Sequence, residues 1–261
     1  MDFDFNRIAV PFRMQPGLAR VAGDTLRLTP LDPGGVLHRE KRGVLESGAS
    51  RQVVAGFDPQ PALEAIAARG LQAAREVPVE LAFEEDFAVL DGATGTLPWL
   101  CVCVPSHWAP EEKLGLGFAA LHAPVADNDA LVAASQQLVA LATGGDCWER
   151  FVWTVSPSGR YDQHPHRHAR TPWPAADDPQ AFARGCWLRA ERQVFFPVGQ
   201  GTRQAVFAIR VMLQPLEAAV GSPEQARRLH DSLASMTPAV LDYKNLTGAQ
   251  APLLRWLETL Y

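Results

Sequence analysis

The sequence predicts an α+β fold, with an antiparallel sheet and helices that lie before and after it along the chain. Three observations lead to this prediction. Helical periodicity is found in the first third, the clearest hairpin covers 187–213, and further helices follow it to the end. Single strands do not alternate with single helices, as a parallel sheet would require.

Composition and charge exclude several classes of protein. The 261 residues are 47% hydrophobic and 20% charged, which is ordinary for a globular protein. The net charge of -5 argues against a nucleic-acid partner. No apolar run approaches the roughly 20 residues that cross a bilayer, and no secretory signal pattern is present. We therefore expect one cytoplasmic domain over 1–261, with its cysteines acting as small buried hydrophobes.

The first hundred residues contain few regular elements. Proline and glycine interrupt the beginning of the chain, so we expect an irregular N-terminal arm over about 1–55. Apolar residues at helical spacing predict a helix over 61–75. Strands are expected over 79–90 and 99–104, and the continuously apolar second strand is typical of one buried on both faces.

The middle of the chain combines helices, one strand and a long connection. Pro110 is suited to the first turn of a helix, and a longer helix is expected over 128–142. A strand over 148–155 precedes the segment 156–180, which is rich in Pro, His and Asp. Connections of that length are typical of lids, binding loops or disordered segments.

The last third begins with the hairpin. Its strands are expected over 187–196 and 204–213. Ser222 is placed to cap the next helix, and shorter helices are expected over 238–243 and 252–260.

Strand periodicity divides the first hairpin strand into two faces. One face carries Arg189, Glu191 and Gln193 between aromatic residues, and the other places Arg192 among apolar neighbours. Arg210 of the second strand lies on the face opposite to that strand's apolar residues. A guanidinium keeps its charge, so an arginine among apolar residues needs an anion beside it. The pattern fits a solvated face with an internal ion pair, or a pocket wall for an acidic cofactor or substrate.

His122 is a candidate for a metal ligand. It lies between Leu121 and Ala123, and a neutral imidazole in apolar surroundings suits iron or zinc if its second nitrogen has a partner. The ordinary alternative is a structural histidine. His107, next to Trp108, is a second candidate for the same role.

His164, His166 and His168 alternate along the chain and would point in one direction on a strand. Pro165 interrupts them and their surroundings are typical of a loop, so we expect an exposed, mobile loop instead of a metal site. No phosphate-binding or hydrolase motif is found elsewhere in the sequence.

Several of these segments resemble one bacterial family. The run Arg-Ala-Glu-Arg-Gln at 189–193, followed by Pro197 and Phe-Ala-Ile-Arg at 207–210, resembles the RxERQ…P…FxIR signature of the haem-dependent oxidative N-demethylase family. Weaker blocks agree in the expected order; they are Pro11-Phe-Arg13, Pro105-x-x-Trp108-x-Pro110-x-x-Lys113-x-Gly115, His122-x-Pro124-Val125 and Arg150-x-x-Trp153. Together they span most of the chain.

The resemblance implies a PAS-like fold in which haem b activates dioxygen and oxidises a small secondary amine such as dimethylamine, releasing formaldehyde. It implies His122 as the axial ligand of the iron and Glu191 as the catalytic residue, which accepts a hydrogen bond from the substrate ammonium or orients a neighbouring arginine. The cofactor-binding residues that it implies are His122, Arg189, Arg192, Arg210 and Trp108, with the three arginines on the haem propionates. A flavin-containing electron-transfer partner is implied as well.

Two positions depart from the family pattern. Val152 stands where the pattern has Asn, and Ala126 stands where it has Pro. These departures favour an alternative, which is a haem-binding sensor or partner subunit without turnover. A structural domain without cofactor is a third interpretation, and it predicts that Arg192 pairs only with protein carboxylates.

Overall fold

The computed structural model describes residues 3–14, 17–70 and 77–261. The strands are β1 (Ala19–Val21), β2 (Arg51–Val53), β3 (Asp86–Asp91), β4 (Trp99–Cys101), β5 (Cys147–Ser156), β6 (Trp187–Pro197) and β7 (Gln204–Pro215). Within the described residues these seven strands form one sheet in the order β1-β5-β6-β7-β3-β4-β2. Neighbouring strands run antiparallel. The prediction of an α+β fold is confirmed, and the likeness to a PAS fold stays a prediction.

Along the chain, helices lie between the strands and after the last strand. They are α1 (Val36–Glu46), α2 (Gln60–Ala67), α3 (Val79–Ala82), α4 (Phe118–His122), α5 (Asp129–Ala133), α6 (Ser135–Ala142), α7 (Pro179–Arg184), α8 (Leu216–Ala219), α9 (Pro223–Ala234), α10 (Pro238–Tyr243) and α11 (Gln250–Glu258). Short 3₁₀ turns cover Phe5–Arg7 and Pro110–Glu112. Across the three described ranges, none of the helices has the length and apolar character needed to cross a membrane.

The predicted hairpin is confirmed and forms the centre of the sheet. β6 and β7 pair along their whole length, from Trp187 opposite Pro215 to Pro197 opposite Ala205. The connecting turn uses the left-handed backbone region at Gly199, with φ of 85°. Glycine adopts this conformation without a steric penalty, which lets the chain reverse direction tightly.

The two faces of β6 have different surroundings. The face that carries Leu188, Ala190, Val194 and Phe196 packs on the hydrophobic core, and we call it the core face. One end of it is covered by C-terminal helices and the other by α2. The face that carries Arg189, Glu191, Gln193 and Phe195 is the site face. Directly opposite residues of an antiparallel pair share a face, so the register extends both faces onto β5 and β7.

The prediction of an irregular arm over about 1–55 is wrong in part, because α1, β1 and β2 lie within it. The buried side of α1 includes His38 and Lys41 beside Leu37 and Val44. The helix has few apolar residues, and two of its buried positions are polar, so the apolar pattern by which helices are predicted is sparse.

Other boundaries also differ. Of the strand predicted over 79–90, the first part forms α3, in which the buried Glu80 pairs with Arg51. The helix predicted over 61–75 ends at Ala67, and residues 71–75 lie outside the described residues. The helix predicted over 128–142 is divided into α5 and α6, and the helix at Pro110 is only a 3₁₀ turn.

Other predictions are confirmed. The Ser222 side chain accepts a hydrogen bond from the Gln225 amide at the start of α9, as its predicted cap. The cysteines are unpaired and buried; they are Cys101, Cys103, Cys147 and Cys186.

A buried ion pair joins α1 to the sheet. The Lys41 ammonium lies 3.0 Å from the Asp86 carboxylate at the start of β3, and both side chains are almost completely buried. Lys41 also donates to the carbonyls of Phe83 and Glu85. Asp86 accepts a further hydrogen bond from the Val104 amide. The pair therefore positions the segment after β4 that leads into the site.

We predict that Lys41→Met destabilises the protein by about 3–5 kcal/mol, because it leaves the Asp86 carboxylate buried without its counter-charge. Urea unfolding of the wild-type protein and of each variant measures the free energy of unfolding. Arg20→Met is the control, since the Arg20–Asp146 pair is largely exposed and should contribute less than about 1 kcal/mol. Equal losses for the two variants would contradict the prediction.

Candidate functional site

A hydrogen-bonded network lies along the site face of β6. One oxygen of the Glu191 carboxylate accepts a hydrogen bond from the Ser106 hydroxyl. The other oxygen accepts one from Gln193 Nε2 at 2.6 Å. Gln193 Oε1 in turn accepts from Arg150 Nε at 2.7 Å. Arg189 Nε donates to the Ser106 hydroxyl at 2.8 Å. The polar residues that alternate along the strand thus form one continuous network.

The charged groups at the ends of this network determine which atom donates and which accepts in each hydrogen bond. Since the Ser106 oxygen accepts from Arg189, its proton is available for Glu191. The same reasoning orients the amide of Gln193, whose oxygen faces the Arg150 guanidinium and whose NH₂ group faces Glu191. Glu191 is therefore held as a hydrogen-bond acceptor on both oxygens.

Arg189 also fastens two loops to the sheet. Only 2% of its surface is exposed. Its terminal nitrogens donate to the carbonyls of Val104, Arg160 and Tyr161. Burial lowers the pKa of Arg189, although a guanidinium remains charged at neutral pH. This side chain is thus surrounded by protein acceptors from the segment after β4 and from the long connection after β5.

An apolar pocket opens beside the network. Its volume is about 80 Å³, which is well below the roughly 300–1,000 Å³ of sites that hold cofactor-sized ligands. Its floor is on the site face, where the rings of Phe195 and Phe207 stack with centroids 4.5 Å apart. Its lining residues are Leu18, Leu90, Leu97, Phe118, Leu121, His122, Leu131, Leu138, Ala142, Arg150, Gln193, Phe195 and Phe207.

His122 lies at the end of α4 and lines this pocket. Its Nδ1 is 2.7 Å from the carbonyl oxygen of Phe118, and its ring stacks on the Phe118 ring at 4.1 Å. A carbonyl only accepts, so Nδ1 carries the proton and the lone pair is on Nε2. No hydrogen-bond partner of Nε2 is found among the described residues. This is the tautomer that a metal-binding imidazole requires.

The environment of His122 keeps the imidazole neutral. Desolvation lowers its pKa, the hydrogen bond to Phe118 opposes this effect, and the nearby charges of Arg150 and Lys113 lower the pKa further. A neutral ring is able to donate its Nε2 lone pair at neutral pH.

Two of the predicted arginines lie on the core face. Arg192 and Arg210 stand directly opposite each other on β6 and β7. Arg192 pairs with Glu149 at 2.6 Å, and Arg210 pairs with Glu84 at the same distance. The sheet therefore separates both guanidiniums from Glu191 and its network. The pairing of Arg192 with a protein carboxylate is what the interpretation as a structural domain expects.

The remaining predicted residues lie around the site. Trp108 packs in the cluster of Ala88, Leu100 and Val102, which also contacts the pocket residue Phe207. His107 has a positive φ of 60°. Desolvation, with Arg170 and Arg189 nearby, lowers the pKa of His107 to about 4.

Each of the three alternating histidines lies beside a carboxylate, and the ring centroids of His164 and His166 are 5.5 Å apart. His164 pairs with Glu111, His166 with Glu112 and His168 with Asp162. In the described ranges no group of three or more His, Cys, Asp or Glu residues could hold a metal ion. The expectation of an exposed loop is wrong for His164, which is 2% exposed. Glu111 and Glu112, in the 3₁₀ turn that begins at Pro110, bind His164 and His166 of this segment.

Sequence reasoning did not identify Ser106, Arg150 and Lys244 as site residues. Ser106 and Arg150 lie in segments that resemble the family, which was an available signal. Lys244 follows α10 and donates to the Trp153 carbonyl at 2.9 Å. Desolvation lowers the pKa of Lys244 to about 8, with Glu191 and Arg150 close enough to act on it. Nothing in the sequence around Lys244 indicates this proximity.

We predict that His122 in the protein without added cofactor is neutral and protonated on Nδ1, with a pKa below the usual value of about 6.5. Long-range ¹H–¹⁵N spectra over a pH titration measure both properties. Because the folded-state pKa is lowered, the stability contribution of the neutral ring is present above about pH 6.5 and is lost as the pH falls through the folded-state pKa. A neutral ring protonated on Nε2 would contradict the prediction.

A comparison with known families gives a match for this chain. The model of the family described as haem-dependent oxidative N-demethylase, alpha subunit-like, matches residues 74–254, which is well over half of the chain. The match includes His122, the strand of Arg150, and the hairpin with Arg189, Glu191 and Gln193. The resemblance noted in the sequence is therefore confirmed. The chain belongs to the haem-dependent oxidative N-demethylase alpha subunit-like family.

Proposed function

We propose that this protein is a single haem-binding domain that oxidatively demethylates a small secondary amine. The observation that carries the proposal is the position of His122. Its imidazole lines an apolar pocket, and a backbone carbonyl holds Nδ1 so that the Nε2 lone pair is available. The same pocket wall contains Gln193, which is bonded to Glu191.

The donor set suits haem b better than a bare metal ion. A bare ion requires several protein ligands, and no such group is found in the described part of the chain. A porphyrin provides four nitrogen ligands to its iron, so one imidazole from the protein completes the binding. The leucine and phenylalanine side chains of the pocket match the apolar character of the macrocycle, and the pocket of about 80 Å³ has to widen to admit it.

Glu191 is the proposed binding residue for the amine. A secondary amine is a cation at neutral pH, and a carboxylate is its natural partner. Each Glu191 oxygen accepts one hydrogen bond from the protein, from Ser106 or Gln193, and has further capacity as an acceptor. The substrate ammonium would therefore add a hydrogen bond without displacing those that orient the carboxylate.

Haem, when bound, supplies the activation of dioxygen and the oxidation of the methyl group. In the overall reaction one oxygen atom leaves in formaldehyde and the other in water, while a donor provides two electrons and solvent provides two protons. The family description as an alpha subunit supports a partner subunit. We propose that this partner contains flavin and delivers the electrons.

The first test is haem binding. Wild-type protein reconstituted with haem should show a Soret band, and His122→Gly should lose or shift it, because the proposed iron ligand is gone. Added imidazole should restore the spectrum by replacing the missing side chain. His230→Gly is the control, since His230 lies on α9 and pairs with Asp231.

Two results would reject haem ligation by His122. One is a wild-type protein that takes up no haem. The other is a His122→Gly variant with an unchanged Soret band.

The second test is turnover of dimethylamine with an electron donor, measured as formaldehyde release. Glu191→Gln should lower kcat/KM for the amine by about tenfold to a hundredfold, because a hydrogen bond to a charged group contributes about 1.5–3 kcal/mol. Glu112→Gln is the control, as its side chain is largely exposed on the protein surface.

The outcome also separates catalysis from sensing. Haem binding without formaldehyde release from any small methylated amine would reject the enzyme and favour the non-catalytic haem protein. An unchanged kcat/KM in Glu191→Gln would reject Glu191 as the binding residue for the amine, but it would not reject the proposed reaction.

A further inference from the structure

The apolar pocket lies between two layers of the protein. Its floor belongs to the central strands of the sheet, where Phe195 and Phe207 stack. Its cover is formed by residues 118–142, which contain α4, α5 and α6, and we call these residues the cover segment. The side chains of the cover segment that line the pocket are Phe118, Leu121, His122, Leu131, Leu138 and Ala142. The position of the cover segment therefore determines how large the pocket is.

The cover segment contributes little to the buried core. α4 and α5 have no buried residues, and the buried residues of α6 are Val139 and Ala142, close to its end. Helices of this length are marginal on their own and depend on packing for their stability. Segments with few buried apolar contacts are the ones that open locally at low cost. The strands of the floor are different, because β6 and β7 pair along their whole length.

Among the described residues, one hydrogen bond fastens the middle of the cover segment to the rest of the protein. The Thr237 hydroxyl, at the start of α10, donates to Asp127 Oδ2 at 3.0 Å, and we call this hydrogen bond the latch. Asp127 has a positive φ of 52°. This conformation is disfavoured for residues other than glycine and is best tolerated by Asn and Asp. Loss of the latch would leave the cover segment held by its two ends and by apolar contacts.

Glycines lie at both ends of the cover segment. Gly117 precedes α4, and Gly144 and Gly145 follow α6. Gly145 has a positive φ of 98°. Hinges are short stretches that absorb a large change of backbone angles, and glycine does so without a steric penalty. The chain is therefore able to turn at these two places while the helices between them stay intact.

We propose that the cover segment is a lid, which turns at its glycine ends and opens the site face to a ligand of cofactor size. The closed pocket of about 80 Å³ is too small for such a ligand, which needs roughly 300–1,000 Å³. Opening adds that space above a floor that stays in place. The inference deepens the proposed function and rests on it in one respect, because His122 lies on the cover segment and the proposed iron ligand moves with the lid.

The test is the rate at which a buried thiol reacts with 5,5′-dithiobis(2-nitrobenzoate) in the cofactor-free protein. Leu90 on β3 is 2% exposed and packs under the cover segment with Val139 and Ala142. Its neighbour Val89 is 0% exposed and packs on the core face. Leu90→Cys should react at least about tenfold faster than Val89→Cys, because local opening needs less free energy than global unfolding. The native cysteines are buried, and the wild-type protein gives their background rate.

The latch provides a second, independent variant. Asp127→Gly removes the acceptor and keeps the left-handed backbone conformation, so it should speed the labelling of Leu90→Cys about threefold to tenfold. The labelling of Val89→Cys should not change. Asp127→Asn is the matched control, since asparagine tolerates the same conformation and still offers a carbonyl acceptor to Thr237. With Asp127→Asn, Leu90→Cys should react at close to its original rate.

Two results would overturn the inference. One is an equal labelling rate for Leu90→Cys and Val89→Cys, because both thiols would then react only on global unfolding. The other is a rate for Leu90→Cys that Asp127→Gly leaves unchanged. Urea unfolding of each variant gives its free energy of unfolding and shows whether global unfolding accounts for its rate. If Leu90→Cys does not fold, Ala142→Cys offers a thiol on the other side of the same contact.

The labelling experiment needs no haem, so it separates the lid from the proposed function. Fast labelling of Leu90→Cys in a protein that takes up no haem would support the lid and reject the proposed function. Haem uptake by the wild-type protein, together with a Leu90→Cys rate no higher than that of Val89→Cys, would reject the lid and leave the proposed function standing.

Discussion

The hydrogen bond from Arg189 to Ser106 is the interaction on which the site depends. It joins β6 to the segment after β4, and it leaves the Ser106 proton available for Glu191. The other donors of Arg189 hold backbone carbonyls of the same segment and of the long connection after β5. One buried cation therefore brings together chain segments that are distant in sequence, and it does so with neutral acceptors. Losing it would leave several buried carbonyls without donors, which is costly in a protein interior.

The sheet separates structural charges from those of the site. Arg192 and Arg210 face each other across the hairpin, and like charges in such a pair repel. On the core face, Glu149 neutralises Arg192 and Glu84 neutralises Arg210. The signature segment thus has two physical roles that alternate along a single strand. Its odd-numbered residues build the network at the pocket, and its second arginine belongs to an ion pair within the fold.

The sequence predicted the features that depend on local periodicity. The two faces of β6 follow from alternation, and the pairing with β7 follows from a short glycine-containing turn, so both were accessible. The partners of Arg189 and Arg192 were not, because they depend on the register with β5 and on loops that fold back over the sheet. α1 was missed since its buried Lys41 satisfies its charge with Asp86, a residue 45 positions away in the chain. Patterns along a sequence do not show which charges are neutralised by distant residues.

The substitution at Val152 illustrates how the network constrains the function. Val152 lies directly opposite Glu191 on the site face, where the family pattern has a side chain that forms hydrogen bonds. Valine contributes no donor, yet both oxygens of Glu191 have donors, in Ser106 and Gln193. The carboxylate is therefore oriented without help from position 152, which places an apolar side chain directly opposite Glu191. An apolar neighbour beside the carboxylate suits the small methylated cation that we propose as substrate, whose charge needs one partner and whose methyl groups need none. The departure from the family pattern is thus compatible with an amine site, and its expected consequence is a change in which amine is preferred.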